Sequence, residues 1–230
     1  MSGSMRRYEA VFWDVGGVLV DLRSVRAGYA GFVAELADGH DLAPDEAIER
    51  WRTRLGEYFR GRCDTEYRPA REGYRRATAA LFDGDPPAGW EATFDRASSA
   101  ALRAEPGAVE TVEALADAGV TQAVVSDIDT REAQSMLESF GIRDRFDHVT
   151  TSEAVGHTKP DERMFRHALA GTGVDPEKAL MVGDRYEHDV EGAAAVGLAT
   201  AGYGEDAWGP AATHELASLR ELPAAVGIRD

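Results

Sequence analysis

Five short apolar runs, at residues 10–13, 122–126, 146–150, 179–182 and 198–201, constrain this chain more than any other feature. They are short and largely apolar, the pattern of central strands in a parallel sheet buried on both sides. Between the later runs, apolar residues recur every three or four positions: Val109, Val112, Leu115 and Ala116; Ala133, Met136, Leu137 and Phe140; Met164, Phe165, Ala168 and Leu169; Val190, Ala193 and Ala194. Strand alternating with helix requires right-handed crossovers around a parallel sheet. The expected fold class is therefore α/β, with a doubly wound core. Asp129 with Glu132 fits a capping box, and Asp175-Pro176 places a cap before a proline at a first helical position.

The stretch from 22 to 105 breaks the alternation. It holds only helical stripes: Tyr29, Phe32, Val33, Leu36; Ala47, Trp51, Leu55, Tyr58, Phe59; Ala70, Tyr74, Ala77, Leu81; Trp90, Phe94, Ala97, Ala101. Short polar joints such as residues 83–87 separate them, so the stretch reads as a four-helix bundle inserted after the first strand. The aromatic stripes suit a bundle core, and a ligand groove would use the same residues. Domain boundaries are expected at 6–21 with 106–230 for the core, and 22–105 for the insert. Ligands of such sheets bind beyond the carboxyl ends of the strands, so an insert leaving from that edge is expected to act as a lid.

A chain of 230 residues is long enough for a core with a smaller insert. The apolar runs fall far short of the ~20 residues of a membrane span. Charge carries more information: 25 basic against 41 acidic residues gives −16, and Lys159 and Lys178 are the only lysines. Such a surface repels nucleic acid and anionic lipid, so neither nucleic acid nor membrane is an expected partner. The excess of acids over lysines suits a salt-rich cytoplasm, while GC-rich coding would also favour Arg over Lys; composition leaves both open. Cys63 stands alone and no secretory leader is evident, so a reducing cytoplasm is the expected location. Residues 1–5 read equally as a natural start or a cloning remnant and carry no weight here.

Four segments carry chemistry. Asp14 ends the first run and is followed by Val15-Gly16-Gly17-Val18. A lone Asp there is commonly a turn former or cap, but glycines after it allow the tight turn that brings main-chain groups to a phosphate or metal. Ser126 ends the second run; its hydroxyl suits a phosphoryl oxygen or a local cap. Lys159, in Gly156-His157-Thr158-Lys159-Pro160, offers a fixed ammonium to offset crowded carboxylates, or a solvated surface charge. Gly183-Asp184 ends the fourth run, and Asp184 opposite Asp14 would complete the small carboxylate set that magnesium prefers. Asp189 follows as a further acid or as a favourable first-turn charge.

In order and spacing, Asp14, Ser126, Lys159-Pro160 and Gly183-Asp184 with Asp189 resemble the four motifs of the haloacid dehalogenase-like hydrolase superfamily over nearly the whole chain. The resemblance implies a Rossmann-like core with an alpha-helical, C1-type cap. It implies that Asp14 attacks phosphorus to give an aspartyl-phosphate. It further implies Mg²⁺ held by Asp14, Asp184 and the backbone carbonyl of Gly16, with Asp189 supporting Asp184 or a bound water. Ser126 and Lys159 would grip the phosphoryl oxygens.

Two positions depart from the family pattern. Phosphatases of the family commonly carry a second Asp two residues after the nucleophile, as acid to the leaving group and base to water; here that position is Gly16, as it is in some members. General acid–base catalysis is worth roughly 10²–10⁴-fold, so leaving groups needing little protonation are expected: aryl or acyl phosphates and sugar 1-phosphates. Asp127 stands where relatives often have Asn. An anion there repels substrate unless it points away or pairs with an Arg.

The expected function is thus a Mg²⁺-dependent phosphatase of small phosphorylated metabolites. Two alternatives stand beside it. A 2-haloacid dehalogenase also begins with an attacking Asp, but usually carries a bulky residue at the position of Gly16 and lacks an acid at Asp184. A phosphate-binding module that has lost catalysis would not need the retained acids. The six histidines show no metal-ligand spacing, although His157 and His188 neighbour motifs. Arg23, Arg26 and Arg60-Gly61-Arg62 are further candidates for holding an anionic part of a substrate. Oligomeric state does not follow from the sequence.

Overall fold

A computed structural model describes residues 7–40, 42–82 and 84–228; residues 1–5, Arg6 of the expected core and Asp83 of the joint between helices lie outside them. The chain divides into two compact units, one running to Asp21 and resuming at Ala104, the other Leu22–Arg103. No helix among the described residues is long and apolar enough to cross a membrane.

The larger unit is built on strands β1 (Ala10–Trp13), β2 (Thr121–Ser126), β3 (His148–Thr151), β4 (Ala179–Gly183), β5 (Ala199–Tyr203) and β6 (His214–Leu216). These form one parallel sheet in the order β3-β2-β1-β4-β5-β6. Every residue of β1 and β4 is buried, as sheet strands covered on both faces must be. The chain first adds strands on one side of β1, then crosses back at β4 to build the other side. The order therefore reverses between β1 and β4, and the crevice beyond their carboxyl ends is where such a sheet holds its ligand. This is the α/β, Rossmann-like architecture expected.

Helices α5 (Ala108–Asp117), α6 (Thr130–Ser139), α7 (Ser152–Val155), α8 (Glu162–Thr172), α9 (Gly192–Ala195) and α10 (Leu222–Val226) accompany the sheet. Phe12, Val125 and Met181 pack against Met164, Phe165 and Ala168 of α8 and Ala193 of α9. Polar groups in this core are satisfied: Trp13 Nε1 donates to Gln122 Oε1 at 3.1 Å, and Gln122 Nε2 donates to the Val112 carbonyl at 3.0 Å.

Several local expectations differ from the outcome. Strand β3 begins at His148 rather than 146, because Phe146 and Asp147 lead out of a 3₁₀ turn at Arg143–Arg145. Asp129 stands at the N-cap of α6 in extended conformation, but its side chain makes no cap hydrogen bond there. Asp175 precedes only a 3₁₀ turn, Pro176–Lys178. Strand β6 was not expected: of its three residues only Leu216 is buried, too little for any periodicity to show.

The smaller unit comprises α1 (Leu22–Asp38), α2 (Pro44–Arg60), α3 (Ala70–Ala79) and α4 (Trp90–Ala101). Its aromatic stripes form a core: Phe32, Trp51, Tyr74 and Phe94 are buried together. Tyr74 stacks on Phe94 with ring centroids 4.4 Å apart, and Trp51 Nε1 donates to Thr78 Oγ1 at 3.1 Å. Replacing Trp51 by Ala removes this packing and leaves a cavity, for an expected loss of about 3–5 kcal/mol. Trp51→Phe keeps most of the ring and loses the hydrogen bond, and is expected to cost on the order of 1–3 kcal/mol. Urea unfolding followed by circular dichroism measures both.

Candidate active site

Asp14 lies one residue beyond β1, and its Oδ1 accepts from the Val15 backbone N–H at 2.8 Å. The following turn is tight. The backbone N–H groups of Leu19 and Val20 return to the Val15 carbonyl, and that of Gly17 donates to Val20 O. Gly17 has φ 80°, and a side chain on it would collide with the Asp184 carboxylate; only glycine permits that approach. The first and fourth loops are thus in contact.

Asp184 follows β4, and the next residues form a π-helical turn, Tyr186–Glu191. That turn carries Asp189 back towards the sheet, to a place a Gly183 side chain would fill. Asp189 is fully buried, so it is no solvated first-turn charge. Oxygens of Asp14, Asp184 and Asp189 lie within 4.8 Å of one another.

Lys159 is fully buried as well, which removes the surface reading. Its Nζ sits 2.9 Å from Asp14 Oδ1 and 2.5 Å from Asp189 Oδ1. Burial opposes the ammonium, but Asp14, Asp189 and Asp127 overcome it and raise the Lys159 pKa above its usual value. Burial raises Asp14, and Lys159 offsets this only in part. Asp184 is raised to about 7, first by burial and then by the charges of Asp14 and Asp189. Its Oδ1 is buried with no hydrogen-bond partner among the described groups. Ser126 closes β2 and is buried.

Asp127 does pair with an arginine. Its Oδ2 is 3.0 Å from the Arg185 guanidinium, and its Oδ1 accepts from the Lys159 backbone N–H at 2.7 Å. Ser152 Oγ donates to the same Oδ1 at 3.4 Å, and His188 Nδ1 stands 3.7 Å from Oδ2. Burial works against ionisation of Asp127, yet His188, Lys159 and Arg185 lower its pKa to about 2. The anion is neutralised by its neighbours. Arg185, which the sequence reading passed over, also donates its backbone N–H to Asp189 Oδ2 at 3.0 Å. His157 lies 3.7 Å from Asp161 Oδ2. Arg23, Arg26, Arg60 and Arg62 belong to the helical unit.

A doubly wound sheet with clustered acids at its reversal point, braced by a buried lysine, defines a class. A family model described as haloacid dehalogenase-like hydrolase matches residues 8–197. The chain belongs to that family. Ribulose-1,5-bisphosphate 5-phosphatase of Halopiger xanaduensis is 33% identical over 171 residues, covering 70% of each chain. The crystal structure of a HAD phosphatase from Thermococcus onnurineus superposes with a TM-score of 0.74 at 26% identity, covering 95% of this chain and 98% of that one. Haloacid dehalogenase-like hydrolase domain-containing protein 3 of Bos taurus is 44% identical over 92 residues, which span 36% of its length and 40% of this chain.

The lowered pKa of Asp127 has a consequence for stability. The folded value of about 2 lies below the ordinary 3.8, so the unfolded chain binds the proton more readily between those values. The contribution of up to about 2 kcal/mol is full above pH ~4 and fades as pH falls towards 2. Asp127→Asn is expected to be less stable than the parent at pH 6, with the gap closing by pH 2. Thermal unfolding across that range checks it.

Proposed function

We propose that this hydrolase is a Mg²⁺-dependent phosphatase of small phosphorylated metabolites, acting in the cytoplasm through an aspartyl-phosphate on Asp14. The observation that carries this reading is the cluster of Asp14, Asp184 and Asp189 with oxygens within 4.8 Å. The donor set fits the ion. It is all oxygen, as magnesium requires, and Asp184 keeps a buried oxygen without a partner and a raised pKa, both of which a cation would relieve. Asp14, Asp184, the Gly16 carbonyl and Asp189 would hold it. Bound there, it supplies charge neutralisation for the phosphoryl group.

The residues take the following roles. Asp14 Oδ1 is engaged by Val15 N–H and Lys159, which turns Oδ2 to the attack on phosphorus. Lys159 lowers the negative charge that an incoming phosphate meets at Asp14, and Ser126 donates to a phosphoryl oxygen. Asp189 holds Lys159 in place. The helical unit, inserted between β1 and β2, serves as the substrate-selecting cap. A small phosphorylated sugar is the class suggested by the phosphatase from Halopiger xanaduensis named above. The unpartnered oxygen and raised pKa of Asp184 favour this reading over a metal-free dehalogenase, and a module that had lost catalysis would not need to keep the cluster.

A metabolite phosphatase screen with and without Mg²⁺, at low and at molar salt, tests the reading. Phosphate release is expected with Mg²⁺ only, and Asp14→Asn should lower it by a factor of about 10³ or more. Aryl and acyl phosphates should be turned over faster than alkyl phosphates, because Gly16 supplies no acid. Chloride release from a 2-haloacid without metal, in place of phosphate release, would overturn the proposal. So would phosphatase activity indifferent to Asp14→Asn.

A further inference from the structure

Strand β1 lies between β2 and β4. In register, Trp13 pairs with Val124 on one side and Val182 on the other. Asp127 is three residues beyond Val124, and Arg185 is three residues beyond Val182. Their ion pair at 3.0 Å therefore runs from the loop after β2 to the loop after β4, spanning strands about 10 Å apart. What it spans is the carboxyl end of β1, one residue before Asp14.

The two cations of the site differ in what they can still reach. Lys159 is fully buried and committed to Asp14 and Asp189. The Arg185 side chain is 45% exposed, and Asp127 takes one of its terminal nitrogens. A guanidinium has five N–H donors, so the contact with Asp127 leaves others to engage a ligand. The backbone of Arg185 is fixed by Asp189 and its head by Asp127, so the charge is set in place before substrate arrives.

We propose that Arg185 is a catalytic residue that offsets the negative charge on the departing oxygen, in place of the proton that Gly16 cannot give. This rests on the phosphatase reading above. In the first step an Asp14 oxygen bonds to phosphorus and the phosphorus–oxygen bond to the leaving group breaks. The electron pair stays on the leaving oxygen, which departs as an oxyanion beside Arg185. In the second step water opens the acyl phosphate, giving phosphate, the Asp14 carboxylate and one proton. That proton neutralises the departed oxyanion, and the balance closes without an acid at position 16. Asp127 is the positioning residue: its charge aims Arg185, and an Asn would keep the acceptor for Lys159 N–H but not the ion pair.

The test is the dependence of kcat/KM on leaving-group basicity, along a series from 4-nitrophenyl to phenyl phosphate with Mg²⁺. This parameter reports the steps up to leaving-group departure. Arg185→Gln is expected to lose only a few-fold on 4-nitrophenyl phosphate and on the order of 10²-fold on phenyl phosphate, the scale of a lost charge-stabilising donor. Arg185→Lys should recover part of the loss on phenyl phosphate, and Asp127→Asn should tilt the series in the same direction. Equal losses across the series, or none, would overturn the role of Arg185 while leaving the phosphatase intact. Failure of the parent protein to hydrolyse any member in an Asp14-dependent way would instead remove the reading beneath it.

Discussion

The site depends on one buried ammonium. Lys159 is sealed from solvent between Asp14 and Asp189, where an unpaired charge would be too costly to keep. The pairing works in both directions, because without the lysine the two carboxylates would repel each other inside the protein. The charges of the cluster do not balance. Asp14, Asp127, Asp184 and Asp189 oppose Lys159 and Arg185, four carboxylates against two cations. The surplus falls on Asp184, which responds by holding its proton up to about 7. That surplus of negative charge supports the divalent cation proposed above.

Chain topology brings these groups together from distant parts of the sequence. Because the strand order reverses at β1 and β4, the loops after those strands have no crossover helix filling the space between them. Glycine then permits close approach: the Asp184 carboxylate lies against Gly17, and Asp189 occupies the room above Gly183. The glycines following Asp14 and preceding Asp184 thus have steric reasons that a turn alone would not supply. A methyl group at either position would force the acids apart.

Much of this was legible in the sequence, where local pattern and burial agree. Strands β1 and β4 are continuous apolar runs, β2 has Ala123-Val124-Val125 within it, and the acids after their carboxyl ends mark themselves by position. Trp51, Tyr74 and Phe94 announce a helical core through spacing alone. What stayed hidden depends on pairing between strands. Strand β6 has one buried residue and is defined by its neighbour β5. Asp127 showed only as an anion beside Ser126, with an arginine partner as the condition for tolerating it. The identity of that arginine required knowing that β1 separates β2 from β4, and no run of residues encodes this. Arg185 sits beside Asp184 in the sequence, yet its significance comes from a residue across the sheet.

The charge at position 127 can be argued from the same geometry. An asparagine there would accept equally well from the Lys159 N–H, so that contact does not call for a carboxylate. The contact that does is Arg185, whose guanidinium needs an anion to hold it extended over β1 rather than swung into solvent. Conversely, the buried Asp127 carboxylate is tolerable because His188, Lys159 and Arg185 offset its charge. The two substitutions relative to the common family pattern, glycine at 16 and aspartate at 127, are therefore parts of one arrangement. The first leaves no proton donor at that position, and the second fixes the Arg185 guanidinium on the loop after β4. A fixed charge stabilises a departing oxyanion without itself changing protonation state, because arginine stays charged throughout the working range of pH.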